Sequence, residues 1–279
     1  MPVQIASLNS GSNANCYYIG NEKDAVLVDA GLSCRETERR MRQLDLSFEK
    51  IRGLFVSHEH ADHISGVPGI CKKYGIPVYI TGNTLRNGNI PLDPSRVRSF
   101  QHGKAVSLGE LAVTPFRKSH DAADPHSFMI RCEGINTGVI TDIGYACKRV
   151  IRYFSQCHAA FLESNYCEDM LENGSYPYHL KKRIRGDEGH LGNAQALELF
   201  RHYRAPHLEL LILSHLSKNN NDPKKVERLF APHSNGVKIV VASRYEASEL
   251  FVLKTSMSKP VFSRTKKPGR THENQLRLF

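Results

Sequence analysis

Long apolar runs are missing from this sequence. No stretch approaches the roughly 18 residues that a membrane helix requires, and the first residues, Met1 to Ser7, carry neither the basic nor the apolar part of an export leader. The expectation is a cytoplasmic protein with no membrane partner. The seven cysteines are an odd number without a Cys-x-x-Cys pair, which is poor disulfide material, so they read as reduced and mostly structural thiols. No recognition-helix or zinc-finger pattern is found either, which argues against sequence-specific reading of DNA. Acidic residues are in short supply: 28 Asp and Glu stand against 38 Lys and Arg, a formal net charge of +10.

Much of that excess is local. From Lys254 to Phe279 there are seven Lys and Arg and one Glu, a net +6, which leaves +4 for the rest of the chain. Pro260, Pro268 and Gly269 lie in this stretch, and its apolar residues keep no period. Residues 254–279 therefore read as a flexible basic tail on a single domain of residues 1–253. With 279 residues and 40% hydrophobic content, the chain can bury a full α/β core. A basic tail suits a polyanion such as nucleic acid; solubility is the plainer explanation.

What the sequence does have is a dense polar cluster, Ser-His-Glu-His-Ala-Asp-His at residues 57–63. It follows the apolar run 53–56, which reads as a buried strand, and precedes a turn into a helix at 64–70. Neutral imidazoles and carboxylates are the ligands that borderline divalent cations prefer, and His58, His60, Asp62 and His63 fall within six residues. One cation cannot easily use all four from so short a segment, which suggests two neighbouring metal ions. A solvated loop after a strand is the bland alternative, and the rest of the chain argues against it. Strands read at 111–116, 136–141 and 208–214 lead to His120, Asp142 and His215, so polar groups arrive repeatedly at strand ends. Further strands are expected at 3–8, 16–19, 25–29, 77–80, 97–100 and 159–162, with helices at 36–44, 68–74 and 193–203.

Other candidates are less determined. The loop 9–15 is rich in small and amide residues, and Ser10, Ser12 and Asn13 could face a bound phosphate, or form a plain hairpin turn. His190 stands in a Gly-rich turn before a helix capped by Asn193; it is a candidate general acid or a packing histidine, and the helix end a candidate phosphate site. Glu163 ends an apolar strand and either orients water or anchors a loop. Asp29, Glu59 and backbone carbonyls are candidates to hold the far nitrogens of metal-bound imidazoles. The cluster Lys181, Lys182, Arg183 and Arg185 is a solvated surface or a track for a DNA backbone.

Together, the His-x-His-x-Asp-His pattern at 58–63 and the later His120, Asp142 and His215 resemble the metallo-β-lactamase superfamily. The resemblance implies an αββα sandwich with a binuclear metal site: His58, His60 and His120 on one ion, Asp62, His63 and His215 on the other, and Asp142 bridging. A narrower resemblance, to the YycJ (WalJ) group of that superfamily, is carried by the stretches 7–19, 119–125, 162–166, 189–193 and 214–221. It implies a 5′-to-3′ exonuclease on double-stranded DNA with a part in mismatch repair. Gly192 and Tyr166 depart from the pattern of that group. The final peptide, with Gln275, Leu276, Leu278 and Phe279, has the form of a short anchor for a hydrophobic groove and resembles the clamp-binding pentapeptide of bacterial replication and repair proteins.

The chemistry is consistent with hydrolysis of a phosphodiester, because paired cations activate water and neutralise phosphate oxygens. Asp62 is included with His190 and Glu163 among the catalytic candidates. Zinc, manganese and iron all suit His and Asp. The rival readings are an RNA-processing nuclease of the same fold, a thioester or lactone hydrolase, and a non-catalytic DNA- or clamp-binding module. No Gly- and basic-rich arm of the transfer-RNA processing enzymes is present, and the interval from Asp142 to His215 is too short for the β-CASP insertion.

Overall fold

The computed structural model describes residues 1–254; residues 255–279, including the candidate anchor at 275–279, lie outside the described part. The first half of the chain builds one sheet. The strands β1 (Val3–Asn9), β2 (Cys16–Gly20) and β3 (Ala25–Val28) run antiparallel in succession, and α1 (Cys34–Gln43) crosses to β4 (Ile51–Phe55), parallel to β3. Two further parallel steps follow, through α2 (Ala61–Ile64) and α3 (Val67–Tyr74) to β5 (Val78–Tyr79), and through α4 (Gly82–Asn87) to β6 (Val97–Arg98).

The second half repeats the plan. The strands β7 (Val106–Leu108), β8 (Leu111–Arg117), β9 (His126–Cys132) and β10 (Ile135–Ile140) are antiparallel. Then α5 (Lys148–Phe154) leads to β11 (Ala159–Glu163). The helices α6 (Glu168–Asn173), α7 (Tyr178–Arg185) and α8 (Asn193–Tyr203) lead to β12 (Leu210–Ser214), and α9 (Pro223–Phe230) to β13 (Lys238–Val241). From β10 to β13 every pairing is parallel. Last, β14 (Phe251–Leu253) returns to pair antiparallel with β1.

Three apolar layers result. Between the sheets lie Tyr17, Phe55, Phe128, Phe161 and Ile212, contributed by both. The outer face of the first sheet is covered by Met41 of α1 and Val67 and Ile70 of α3. That of the second is covered by Phe154, Phe200 and Phe230 of α5, α8 and α9. In β12, Leu210 and Ile212 face the other sheet while Leu211 and Leu213 face the helices. Burial on both sides explains why such strands read as unbroken apolar runs rather than alternating ones, and each fully buried large side chain contributes roughly 1.5–3 kcal/mol. The architecture is the αββα sandwich.

Several elements differ from the sequence reading: β7, β9, β13, β14, α4, α5 and α9 are additional to those expected. The strand expected at 97–100 stops at Arg98, and the helix expected from 36 starts at Cys34, because the Ser33 hydroxyl accepts the Glu36 N–H at 3.3 Å and caps it there. The basic cluster Lys181, Lys182, Arg183 and Arg185 lies on α7, and the acidic α6 before it is a further element that the sequence reading lacked. All seven cysteines are free. Among the described residues, no helix is long and apolar enough to cross a membrane.

Candidate metal centre

Parallel strands of both sheets deliver their carboxyl ends to one edge of the sandwich, the place where open α/β folds bind ligands. There the backbone turns sharply. Asp29 after β3, Asp142 after β10 and His215 after β12 have φ of 59°, 54° and 57°, a left-handed conformation that Asp and His tolerate better than most residues but that still costs energy. The segment 58–63 is clamped by main-chain bonds. Asn15 N–H donates to Asp62 O at 2.7 Å, and Ala30 N–H to His63 O at 2.8 Å. Two glycines make this approach possible: a Cβ on Gly31 would lie 1.8 Å from Asp62 O, and one on Gly66 1.8 Å from Leu32 O.

Three histidines converge on one point. His58 Nε2 lies 3.1 Å from His60 Nδ1, and His120 Nε2 lies 3.3 Å from the same atom. The outer nitrogens are committed elsewhere: His120 Nδ1–H donates to Gly189 O at 3.0 Å, and His58 Nδ1 meets Ser57 Oγ at 2.8 Å, whose own hydrogen goes to Asp29 Oδ2 at 2.8 Å. The inward nitrogens therefore present lone pairs to one another. Ligands of a tetrahedral cation at 2.0–2.1 Å sit about 3.3 Å apart, so the spacing fits a cation between them.

A second group adjoins the first. His63 Nε2 is 3.4 Å from Asp62 Oδ2 and 3.4 Å from Asp142 Oδ2, and His215 Nε2 is 3.4 Å from Asp62 Oδ2. Again the far nitrogens are held by carboxylates, His63 Nδ1 by Asp29 Oδ2 at 2.7 Å and His215 Nδ1 by Glu163 Oε1 at 3.1 Å. Asp142 Oδ2 and His215 Nε2 are buried and have no hydrogen-bond partner. Buried polar atoms without partners are costly, and these two aim at the space a second cation would take. Asp142 lies between the groups, its other oxygen 3.9 Å from His120 Nε2. The residues present fit a pair of divalent ions.

The electrostatics agree. Burial works against a charge on His63, but the carboxylates of Asp142, Asp62 and Asp29 outweigh it and hold its pKa well above the ordinary imidazole value. Burial opposed by Asp142, Asp62 and Glu163 likewise leaves His215 raised to about 10. In the first group, burial dominates, and it pushes His58 well down and His120 down to about 4. The carboxylates thus concentrate negative charge at the second group, which would favour a cation there.

Glu163, fully buried, does more than hold His215. Its Oε1 also accepts from His190 Nδ1 at 2.8 Å, while Oε2 takes the N–H groups of Ile143 at 2.7 Å and Leu191 at 3.2 Å. Burial raises its pKa, but His190 beside it and the bonds from His190 and His215 bring the net value down to about 2. The His190 side chain is 18% exposed, so it is the member of this set that reaches the cleft. Nearby, Asp121 Oδ1 is 3.4 Å from His120 Nε2, and Asp121 Oδ2 is held by Arg183 at 2.5 Å. Arg183, Lys182 and His179 of α7 line an open cleft of about 660 Å³ beside Gly189.

Several sequence expectations are corrected. Ser10 does not face solvent: it is 1% exposed, and its hydroxyl contacts Tyr17 Oη at 2.9 Å and accepts the His215 N–H at 2.8 Å. Asn193 is not the cap of α8. Gly192 takes that position, with its N–H bonded to Gln195 Oε1 at 2.8 Å. The buried Asn193 amide instead pairs reciprocally with that of Asn221 at 2.9 Å in both directions and accepts from Ser164 Oγ at 2.7 Å. Glu59 holds a loop, through Ala123 N–H at 2.7 Å, and no imidazole. Ser12 and Asn13 are exposed, but both are tied to Arg244.

The sequence reading passed over other residues. Asn15 Nδ2 lies 3.0 Å from Asp62 Oδ2 and 3.1 Å from His63 Nε2. Lys118, a buried cation near Asp142, Asp29 and Glu163, donates to Thr141 O at 2.8 Å, and its burial lowers its pKa. Asn165 Nδ2 donates to His215 O at 2.8 Å. For Lys118, its place two residues before His120 was the available signal.

A family model described as a β-lactamase superfamily domain matches residues 24–216. The chain is 35% identical over 226 residues to the exodeoxyribonuclease YycJ of Bacillus anthracis, covering 79% of this chain and 85% of that protein. It is 32% identical over 219 residues to the exodeoxyribonuclease WalJ of Streptococcus pneumoniae, covering 77% of this chain and 81% of that one. Among solved structures, the metallo-β-lactamase fold protein YhfI from Bacillus subtilis aligns with a TM-score of 0.70 over 90% of this chain and 100% of that chain, at 14% identity. That last likeness is one of fold alone.

Proposed function

The chain belongs to the β-lactamase superfamily, in the group of the YycJ and WalJ exodeoxyribonucleases, and from that premise we propose that it digests double-stranded DNA from the 5′ end using two divalent ions. The observation that carries this reading is the convergence of imidazole nitrogens and carboxylates at 3.1–3.4 Å with buried atoms left unpartnered. His58, His60 and His120 would hold one ion, Asp62, His63 and His215 the other, and Asp142 both. Bound there, divalent cations supply Lewis acidity that makes water nucleophilic at neutral pH and offsets charge on phosphoryl oxygens.

The protein's own groups do the rest. Ionised Glu163 takes the Nδ1 hydrogen of His190 and so turns His190 Nε2 toward the cleft. From there His190 in its protonated form gives a proton to the departing oxygen of the cleaved strand. Lys182, on the cleft beside Gly189, attracts the phosphate backbone, and binding weakens as salt rises. The basic residues beyond 254 add to that attraction. A docking role for Gln275, Leu276, Leu278 and Phe279 on the bacterial sliding clamp, and through it a part in DNA repair, completes the proposal.

The test is digestion of linear duplex DNA labelled at either end, with manganese or zinc, by the wild type, Asp62→Ala and Asp142→Ala. Early release of the 5′ label by the wild type, and none by either variant, is the expected result. Intact DNA with the wild type, or release of the 3′ label first, would overturn the reading.

A further inference from the structure

A second recess adjoins the candidate metal centre, at the ends of β12 and β13. Its volume is about 300 Å³, at the small end of ligand pockets and suited to one nucleotide rather than a duplex. The recess and the centre share Ser10, whose hydroxyl accepts the His215 N–H at 2.8 Å, and the wall continues from Leu216, the next residue. Its far wall is the segment after the edge strand β13, from Ala242 to Tyr245. Along the row of strand ends, the order is therefore recess, His215 after β12, Glu163 on β11 and Asp142 after β10. With strands about 4.8 Å apart, the recess lies roughly 10–15 Å from Asp142.

The chemistry of the wall is that of a phosphate site with a base platform. Lys218 is exposed and has no carboxylate partner among the described residues. Among the described residues, Arg244 is held by neutral acceptors, Leu216 O at 3.3 Å and Ser12 Oγ at 3.2 Å, and no carboxylate neutralises it there. Glu227 is the acid on the wall, which leaves the lining net positive. The Ser243 oxygen accepts the N–H groups of Tyr245 at 3.1 Å and Glu246 at 3.3 Å, and the Ser217 oxygen accepts that of Asn220 at 3.3 Å. Both hydroxyl hydrogens are thus free to donate. The Tyr245 ring is 70% exposed at the rim, a surface on which any base can stack.

We propose that this recess binds the 5′-phosphorylated terminal nucleotide of the DNA, its phosphate on Lys218, Arg244 and the two serine hydroxyls and its base on Tyr245. The inference rests on the exonuclease reading. A terminal phosphomonoester carries close to two negative charges at neutral pH where an internal diester carries one, so two uncompensated cations favour an end over the interior of a strand. The recess would thereby select ends and set the distance from the end to the cleaved bond.

Two measurements test it. Duplexes with a 5′-phosphate and with a 5′-hydroxyl are digested in parallel by the wild type, Lys218→Ala and Tyr245→Ala. In addition, binding of deoxyadenosine 5′-monophosphate and of deoxyadenosine to the metal-loaded proteins is followed by calorimetry. The expected result is a preference of about 10-fold or more for the phosphorylated end in the wild type, reduced to near unity in Lys218→Ala, with binding of the monophosphate but not the nucleoside and loss of that binding in Lys218→Ala. Equal rates on both ends, or a preference unchanged in both variants, would overturn the proposal while leaving the nuclease reading intact. If no DNA is cleaved, the nuclease reading fails, and the calorimetry alone decides the recess: binding that Lys218→Ala abolishes supports a phosphate site, and no binding overturns it.

Discussion

Asp29 and Glu163 are fully buried carboxylates at the ends of parallel strands, one in each sheet, and each holds a histidine of the centre by its Nδ1. Their remaining partners differ. Asp29 takes the N–H and hydroxyl of Ser57 at 2.7 and 2.8 Å, all within the buried clamp around residues 58–63. Glu163 spends its second oxygen on two backbone N–H groups and shares its first between His215 and the cleft-facing His190. One carboxylate closes on the scaffold; the other connects the scaffold to the part-exposed His190. On the proposed function, the difference would separate positioning a metal ligand from positioning a ligand and a proton donor together.

The largest expected effect comes from removing what both carboxylates serve. Asp142→Ala takes away the group shared by the two sets of ligands, and turnover on duplex DNA should fall by roughly 10³-fold or more. Next is His190→Gln. Loss of a general acid costs roughly 10²–10⁴-fold in kcat, with metal content and KM little changed; a fall in metal content instead would make His190 a ligand and erase the distinction between the two carboxylates. The pair itself is compared in Asp29→Asn and Glu163→Gln. Each should weaken metal binding by roughly 10–100-fold, but excess metal should restore kcat only in Asp29→Asn, because Glu163→Gln also releases His190. Full rescue of both would make the two carboxylates equivalent.

How much of this was legible follows the same division. His58, His60, Asp62 and His63 stand out because four candidate ligands crowd into one strand-end loop, and His120, Asp142 and His215 because each follows an apolar run. The αββα order was reached through that resemblance more than through strand reading: β9, paired on both sides, and the short β13 and β14 went unread. The roles of Ser10, Asn15, Asn165 and Asn193 are set by partners far along the chain. Asn193, for instance, is bound to Asn221, 28 residues on, and no local pattern encodes such a pair. A preference for Asn at helix caps pointed the wrong way there, since Gly192 already fits the cap and Gln195 reaches back to its N–H.

Two smaller effects bound the comparison. Chelation of the ions should lower thermal stability, by roughly 2.7 kcal/mol for each ion relative to metal at 100 times its Kd, or about 5–10 °C per ion for a chain of this size; thermal unfolding with and without chelator measures it. The smallest effect belongs to a partly exposed carboxylate. Hydrogen bonds from Arg39 and Arg40 hold the Glu36 carboxyl at about 2, against an ordinary 4.5. A carboxylate depressed in the folded state stabilises above its ordinary pKa, and that stability drains as pH falls from about 4.5 through about 2. Solvent screening keeps the loss below about 1 kcal/mol, and Glu36→Gln should flatten that part of the stability profile.

The most direct test of the proposed paired-ion centre is elemental analysis of the purified protein after equilibration with manganese or zinc and removal of free metal. Two ions per chain in the wild type, falling to one or none in Asp142→Ala, is the expected result. A wild type that retains no metal, or an Asp142→Ala protein that still holds two ions, would contradict it.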